Sequence, residues 1–516
     1  MPRPVPIGLE PLTREQVLAV VRDGAPVELT SVALKAIAES RDHVDGLAAG
    51  SRPVYGVSTG FGALAVRHIP ADRRAQLQRS LVRSHAAGAG PAVEPEVVRA
   101  LMLLRLRTLA TGRTGVRPVT AQTLAALLNA GIVPVVHEFG SLGCSGDLAP
   151  LSAIALTLMG EGEVLDSATG SRRPAAEALA EAGIEPLQLA EKEGLALING
   201  TDGMLGMLVL AATDLARLLD VADLTAAMSV EALLGTDRVF AADLQALRPH
   251  PGQARSAARM RALLAGSEIV ASHRGPDCTR VQDAYSLRCA PQVHGAARDT
   301  LAHAELVADR ELAAAVDNPV VLPDGRVESN GNFHGAPLAY VLDFLAIPVA
   351  DVASMAERRT DRMLDVARSH GLPAFLADDP GVDSGLMIAQ YTQAAIVSEL
   401  KRLAVPASVD SIPSSAMQED HVSMGWSAAR KLRRALDGMT TVLAVELLTA
   451  ARALDLRAPL RPAPATAAAL AVVRERVGGP GPDRHLAPEI AAVEELIRSG
   501  AVLAAVEPHL QAGGEQ

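Results

Sequence analysis

Apolar positions recur at helical spacing along almost the entire chain. Leu34, Ile37, Val44 and Leu47 share one face of a predicted helix, with Thr30 or Ser31 as its N-cap and Gly50 as its stop. Residues 97–110 read as a second helix closed by Gly112, and Thr120 can cap a third that ends near Gly131. A long apolar helix is predicted over 203–221 and a separate one over 224–234. Residues 299–315, 338–369, 383–404 and 428–453 also read as long helices, and Pro348 should kink or break the second of these. Helices this long and apolar bury more than one face, which points to a central bundle shared between subunits.

Strand signals are few. Residues 131–137 could form a short extended piece. Pro323-Asp324-Gly325 is a turn signal with apolar flanks, so a small hairpin is predicted over 320–327. Residues 461–464 and 478–482 read as loops. No internal repeat or low-complexity segment is visible. A boundary near residue 215 divides the chain into 1–215, with mixed loops and helices, and 216–516, dominated by long helices.

Composition supports the helical reading. Length alone allows two to four domains. Hydrophobic residues make up 49% of the 516 positions but aromatic ones only 2%, so Ala, Leu and Val must build the core. Ala and Leu are strong helix formers, whereas strands favour β-branched and aromatic residues. The formal charge of −11, with four Tyr, six Phe and one Trp, provides neither the basic patch nor the stacking surface that nucleic-acid binding needs. Cys144, Cys278 and Cys289 have no CxxC spacing and form no disulfide framework, which fits a reducing cytoplasm. The first twelve residues carry Pro2, Pro4 and Pro6 and no secretory signal pattern. No apolar run approaches the length of a membrane span.

The sharpest chemical signal is Gly143-Cys144-Ser145-Gly146-Asp147-Leu148. Glycines allow the backbone to approach itself closely. The Gly146 amide nitrogen can attack the Cys144 carbonyl. Loss of water closes a five-membered ring, and loss of the Ser145 hydroxyl leaves an exocyclic methylene. The product is a methylidene-imidazolone (MIO), an electrophile that no standard side chain offers and one suited to attack by an amine. A serine-hydrolase elbow, G-x-S-x-G, fails because Asp147 stands in the fifth position. An ordinary Gly/Ser loop is the plain alternative. A second Gly-rich run, Tyr55-Gly56-Val57-Ser58-Thr59-Gly60-Phe61-Gly62, reads as a loop presenting Tyr55, or as a surface turn with a structural tyrosine. It lacks the third glycine and the preceding strand of a nucleotide loop.

Together these runs resemble the aromatic amino acid ammonia-lyases. Residues 55–62 are similar to that family's tyrosine loop and 143–151 to its prosthetic-group motif. Leu195-Ala196-Leu197-Ile198-Asn199-Gly200-Thr201 and the run from Gln282-Asp283 through Tyr285-Ser286-Leu287-Arg288-Cys289 follow in order. Asp317-Asn318-Pro319, Gly331-Asn332-Phe333-His334 and Gln418-Glu419-Asp420-His421 complete the series. The resemblance spans residues 12–508, and Ser84-His85-Ala86-Ala87-Gly88 looks like the histidine-acting branch.

The resemblance implies a mainly α fold, a long-helix bundle of the fumarase/aspartase-like type. It implies a homotetramer with a shared helical core and active sites assembled from three subunits. It implies MIO formed from Cys144, Ser145 and Gly146, where Cys144 replaces the commoner alanine without joining the ring through its side chain. Tyr55 would remove the β-proton of L-histidine, giving trans-urocanate and ammonia. Its ordinary pKa of about 10 means that a tyrosinate needs electrostatic help. Arg288 would pair with the substrate carboxylate, Asn199 and Tyr285 would hold the carboxylate and amine side, and Gln282 would support them. Phe333 would pack beside the MIO, and His85 and Glu399 would bind the imidazole. Read alone, His85 is more often structural, Glu399 a solvated helix residue and Arg288 a surface or subunit ion pair. His137, His334 and His421 have no metal-ligand spacing, so no metal site is expected.

A MIO aminomutase, forming the β-amino acid from L-histidine or L-tyrosine, would use nearly the same residues. A catalytically dead scaffold would not need Tyr55, Ser145, Asn199, Tyr285 and Arg288, and the fumarase-like lyases need a different signature loop. Cyclisation makes a direct prediction: the purified chain should weigh two waters less than its sequence. Ser145→Ala should restore the full sequence mass, and an uncyclised mass for the unaltered chain would favour the dead scaffold.

Overall fold

The computed structural model describes residues 2–50, 53–143, 146–166, 169–275, 278 and 281–511. The fold is mainly helical, as the periodicity predicts. The chain forms two compact units. The first comprises Met1–Leu210, Glu305–Asp343 and Pro406–Arg430, and the second Ala211–Ala304, Phe344–Val405 and Lys431–Gln516.

The first unit is organised around the helix Pro95–Ala110, in which an unbroken run from Ala100 to Ala110 is buried. An all-round apolar helix must be covered on every side. Arg14–Val21, Ser31–Ala49, Pro118–Asn129 and Leu148–Leu158 pack against it. Thr30 caps Ser31–Ala49 by accepting from the Ala33 N–H, and Gly50 follows its last residue, both as predicted. Thr120 does not cap the third helix. Pro118 starts that helix at Arg117, since proline suits the first helical turn, and the buried Thr120 hydroxyl instead donates to Glu193 at 2.5 Å.

All the described strands are short and belong to the first unit. Val5–Ile7 pairs in parallel with Val27–Leu29, and Ala89–Ala92 pairs antiparallel with His137–Phe139. Glu163–Leu165 lies between Val133–Pro134 and Arg172–Pro174. The predicted extended piece over 131–137 therefore feeds two different sheets. The predicted hairpin forms, with Val320–Val321 antiparallel to Val327–Glu328 and the Gly325 N–H closing its turn on the Leu322 carbonyl.

Within the second unit, the core contains ion pairs as well as leucines. Glu446 accepts from Thr225, Ser229 and both Nε and Nη2 of the fully buried Arg359. Asp223 pairs with His294 and Arg298. Buried charges persist only where such partners replace water.

Several helix boundaries differ from the periodicity. The predicted pair over 203–234 is one helix, Asp202–Ala232, because nothing between Val221 and Leu224 breaks the ladder. Ala290–Leu312 starts earlier than expected and Met387–Leu403 later. Ala336–Leu364 runs on through Pro348, which does not break it. This helix is also long and apolar enough to cross a membrane by length and composition, contrary to the sequence expectation, although 61% of its most apolar window is buried.

The first unit depends on one cation. Arg105, fully buried on the Pro95–Ala110 helix, bridges Asp202 and the carbonyls of Ala196, Asn199 and Val316. Arg105→Leu strands Asp202 without its partner and should destabilise the fold by about 3–5 kcal/mol, read from chemical unfolding. Arg105→Leu combined with Asp202→Leu should recover part of that loss.

Candidate active site

Asn199 is positioned by the helix Glu193–Ile198, which ends beside it. Three side chains fix that helix at its start. Glu193 accepts from Arg117, Thr120 and the Ala190 N–H. Lys192, at φ 73°, forms a fully buried 2.5 Å pair with Asp317. Gln78, on the helix Arg74–His85, accepts from the N–H groups of Gly194 at 2.9 Å and Leu195 at 3.4 Å. At the far end Arg105 holds the Asn199 carbonyl, while the Asn199 amide donates to Asn318 at 3.1 Å. Its Oδ1 is buried and has no hydrogen-bond donor among the described residues.

Cys144 and Ser145 lie outside the described residues, but their surroundings are defined. Gly146 has φ 77° and bridges Gly200, and a Cβ on it would sit 2.0 Å from the Gly200 carbonyl oxygen. No side chain fits there. The Asp147 N–H donates to the same carbonyl at 2.7 Å. On the other flank, Ser423 and the Gly335 N–H both donate to the Gly143 carbonyl. Asp147 itself is fully buried and accepts from Ser141 and from the Gly203 and Met204 N–H groups at the start of Asp202–Ala232. Burial nevertheless pushes its carboxyl up to about 7.

Tyr55 projects from the loop preceding Gly62, whose N–H donates to the phenol oxygen at 3.3 Å. Val57 anchors this loop in a small cluster with Val44 and Val321. Burial raises the Tyr55 pKa against the Gly62 bond, and Glu419 and Asp317 raise it further. The electrostatic help that a tyrosinate needs is therefore not supplied by these neighbours. Tyr55 and Phe333 line a cavity of about 510 Å³ with Asn318, Gln418, Glu419 and His421.

His85 ends the helix Arg74–His85. Its Nδ1 lies 2.9 Å from the Leu81 carbonyl, which can only accept, so the proton is assigned to Nδ1 and Nε2 keeps its lone pair. Burial lowers its pKa, and the Glu419 charge opposes that shift. Glu419 thus acts electrostatically on both His85 and Tyr55.

Gln282, Tyr285, Arg288 and Glu399 belong to the second unit. Tyr285 and Arg288 open and close a four-residue helix, with the guanidinium 4.6 Å from the tyrosine ring centroid. Tyr285 is 70% exposed, and Arg288 Nε is buried without an acceptor among the described residues. Arg359 donates to the Ser286 carbonyl and so ties this turn to the buried Glu446. Glu399 is exposed on Met387–Leu403 and pairs with Arg402. The carboxylate that lines the cavity with Tyr55 is Glu419, from the Gln418-Glu419-Asp420-His421 motif. His137 bonds the Gly90 carbonyl, and His334 meets His421. Among the described residues, no group of three or more His, Cys, Asp or Glu side chains could hold a metal ion.

Residues 12–475 match the model of the family described as aromatic amino acid lyase. The chain belongs to the aromatic amino acid lyase family. It is 68% identical over 504 residues to the histidine ammonia-lyase of Streptomyces avermitilis, covering 98% of both chains. Among solved structures, it is similar to histidine ammonia-lyase from Trypanosoma cruzi, with 39% identity, a TM-score of 0.89 and coverage of 98% of this chain and 95% of that one. Tyrosine aminomutase from Streptomyces globisporus is also similar, with 40% identity, a TM-score of 0.92 and coverage of 98% and 99%. The lyase family thus includes neighbours whose names describe both elimination and amine migration.

Asp147 gives this lyase a pH signature. Its folded pKa, about 7 against an ordinary 3.8, means that the folded state holds the proton more tightly. Its contribution is complete below the ordinary value and is lost as pH rises through about 7. Asp147→Asn keeps an acceptor for the two N–H groups but does not titrate. Thermal unfolding at about pH 5 and about pH 8 should show a smaller alkaline loss in this variant than in the unaltered chain.

Proposed function

We propose that this chain eliminates ammonia from L-histidine to give trans-urocanate. The observation that carries the reading is the grouping of Tyr55, His85 and Glu419: a phenol beside a cavity, an imidazole with a bare Nε2, and a carboxylate coupled to both. The names of relatives at 68% identity support the same substrate.

MIO formed from Cys144, Ser145 and Gly146 fits this setting, since Gly146 occupies a place that excludes any Cβ and Asn199 Oδ1 is a buried acceptor awaiting a donor. When present, the group supplies an electrophile for the substrate's amine. The chain's own residues bind and orient. His85 Nε2 and Glu419 can accept an imidazole N–H, and we assign the imidazole-facing carboxylate to Glu419 rather than Glu399 on this ground. Arg288 pairs with the substrate carboxylate, with Tyr285 and Gln282 beside it. Asn199 Oδ1 receives an N–H from the amine side, and Phe333 forms an apolar wall. Tyr55, as the phenolate, takes the β-proton while the carbon–nitrogen bond breaks and its electron pair leaves with nitrogen.

Assembly completes this reading. Tyr340, Phe344 and Ile347 form an exposed apolar stripe at helical spacing on Ala336–Leu364, the composition of a surface covered by another subunit. A homotetramer sharing its sites would bury that stripe and draw on the exposed Tyr285 turn. A cytoplasmic location accords with the free Cys278 and Cys289.

The test is incubation with L-histidine followed by chromatographic mass analysis. Urocanate and ammonia in equal amounts are expected, and a retained product isobaric with histidine would instead identify an aminomutase. Tyr55→Phe should lower kcat by about 10²–10⁴-fold. Glu419→Gln and His85→Leu should each lower kcat/KM by about 10–100-fold, the effect of leaving a buried polar group unpaired.

A further inference from the structure

His334 and His421 come together beside the Tyr55 cavity from segments 87 residues apart in sequence. His334 Nε2 and His421 Nδ1 are 3.1 Å apart, while the ring centroids are 5.2 Å apart and the planes differ by 21°. The nitrogens are much closer than the centroids, so the rings meet edge to edge, in the geometry of one N–H···N bond. The direction of that bond is determined by a backbone group. The Ala336 N–H donates to His334 Nδ1 at 3.3 Å, which requires a bare nitrogen there. Neutral His334 must then carry its proton on Nε2 and donate to His421 Nδ1. Burial and the neighbouring His421 lower the His334 pKa, which favours the neutral ring, and a backbone bond to His421 opposes that shift. With Nδ1 used as an acceptor, neutral His421 carries its own proton on Nε2.

His421 is the only basic side chain among the described residues lining this cavity, which also holds Glu419 and Asp420. A histidine substrate presents an imidazole with one N–H donor and one lone-pair acceptor. His85 Nε2 and Glu419 can accept the donor. Neither can serve the lone pair.

We propose that His334 is a positioning residue that fixes His421 as its Nε2–H tautomer, and that His421 donates this hydrogen to the unprotonated nitrogen of the substrate's imidazole. The pair then selects an imidazole over an aromatic ring without an acceptor. This inference rests on the proposed function, with trans-urocanate as the product that retains the imidazole.

The experiment compares binding of urocanate with that of 3-(pyrrol-2-yl)acrylate, which keeps the ring N–H but lacks the acceptor nitrogen. Full-length protein is used, unaltered and as His334→Leu, His334→Gln and His421→Leu. Both leucine variants should weaken urocanate by about 3–10-fold, as loss of one hydrogen bond does. Both should bind the pyrrole as the unaltered protein does. His334→Gln should retain urocanate binding, because its amide N–H can still donate to His421 Nδ1. Unchanged urocanate binding in either leucine variant, or equal weakening of both ligands, would overturn the inference. So would a His334→Gln variant as weak as His334→Leu. An unaltered protein that neither converts L-histidine nor binds urocanate would overturn the proposed function itself, a result distinct from the others.

Discussion

One buried guanidinium holds together the parts of the first unit that matter most. Arg105 sits in the middle of an otherwise apolar helix and satisfies carbonyls from Ala196, Asn199 and Val316 as well as the Asp202 carboxylate. These groups end one helix, begin another and precede the Asp317-Asn318-Pro319 segment. Removing water from a charge is costly, and the cost is offset only when several partners are fixed around it. The arrangement therefore specifies a loop conformation that leucines could not, since an apolar contact has no direction. Lys192 and Asp317 add a second buried pair beside it, also without solvent.

The electrostatics around Tyr55 run against an isolated phenolate. Burial disfavours its charge, and Glu419 and Asp317 disfavour it further. A single N–H, from Gly62, favours it. If Tyr55 acts as the proposed base, its phenolate draws on charge from groups beyond these neighbours, such as a guanidinium or the substrate's own ammonium.

The helical plan was legible because periodicity reports burial directly. Ser31–Ala49 with its Thr30 cap and the Val320–Glu328 hairpin follow from local rules alone. Where the reading went astray, a longer-range partner intervened. Thr120 looks like a cap until Glu193, 73 residues away, claims its hydroxyl. Of the kink or break expected at Pro348, the break does not occur, because packing along Ala336–Leu364 outweighs one lost hydrogen bond. At the site, Tyr55 and Phe333 could be named from motifs, but their common cavity could not. Glu419 stands in a recognisable motif, yet only the fold brings it to the cavity that Tyr55 lines. Arg105, Lys192 and Gln78 carry no motif signal, because their importance lies in partners scattered along the chain.

Gln78 has a consequence for redesign. Its side-chain oxygen clasps the first turn of Glu193–Ile198, while its own helix terminates at His85. His85 and Asn199 are therefore the two tips of a single lever with Gln78 near its fulcrum. A larger side chain at position 85 that tilts its helix would swing Asn199 as well. With His85 on the ring and Asn199 on the amine, as proposed, altered selectivity and altered turnover would be inherited together.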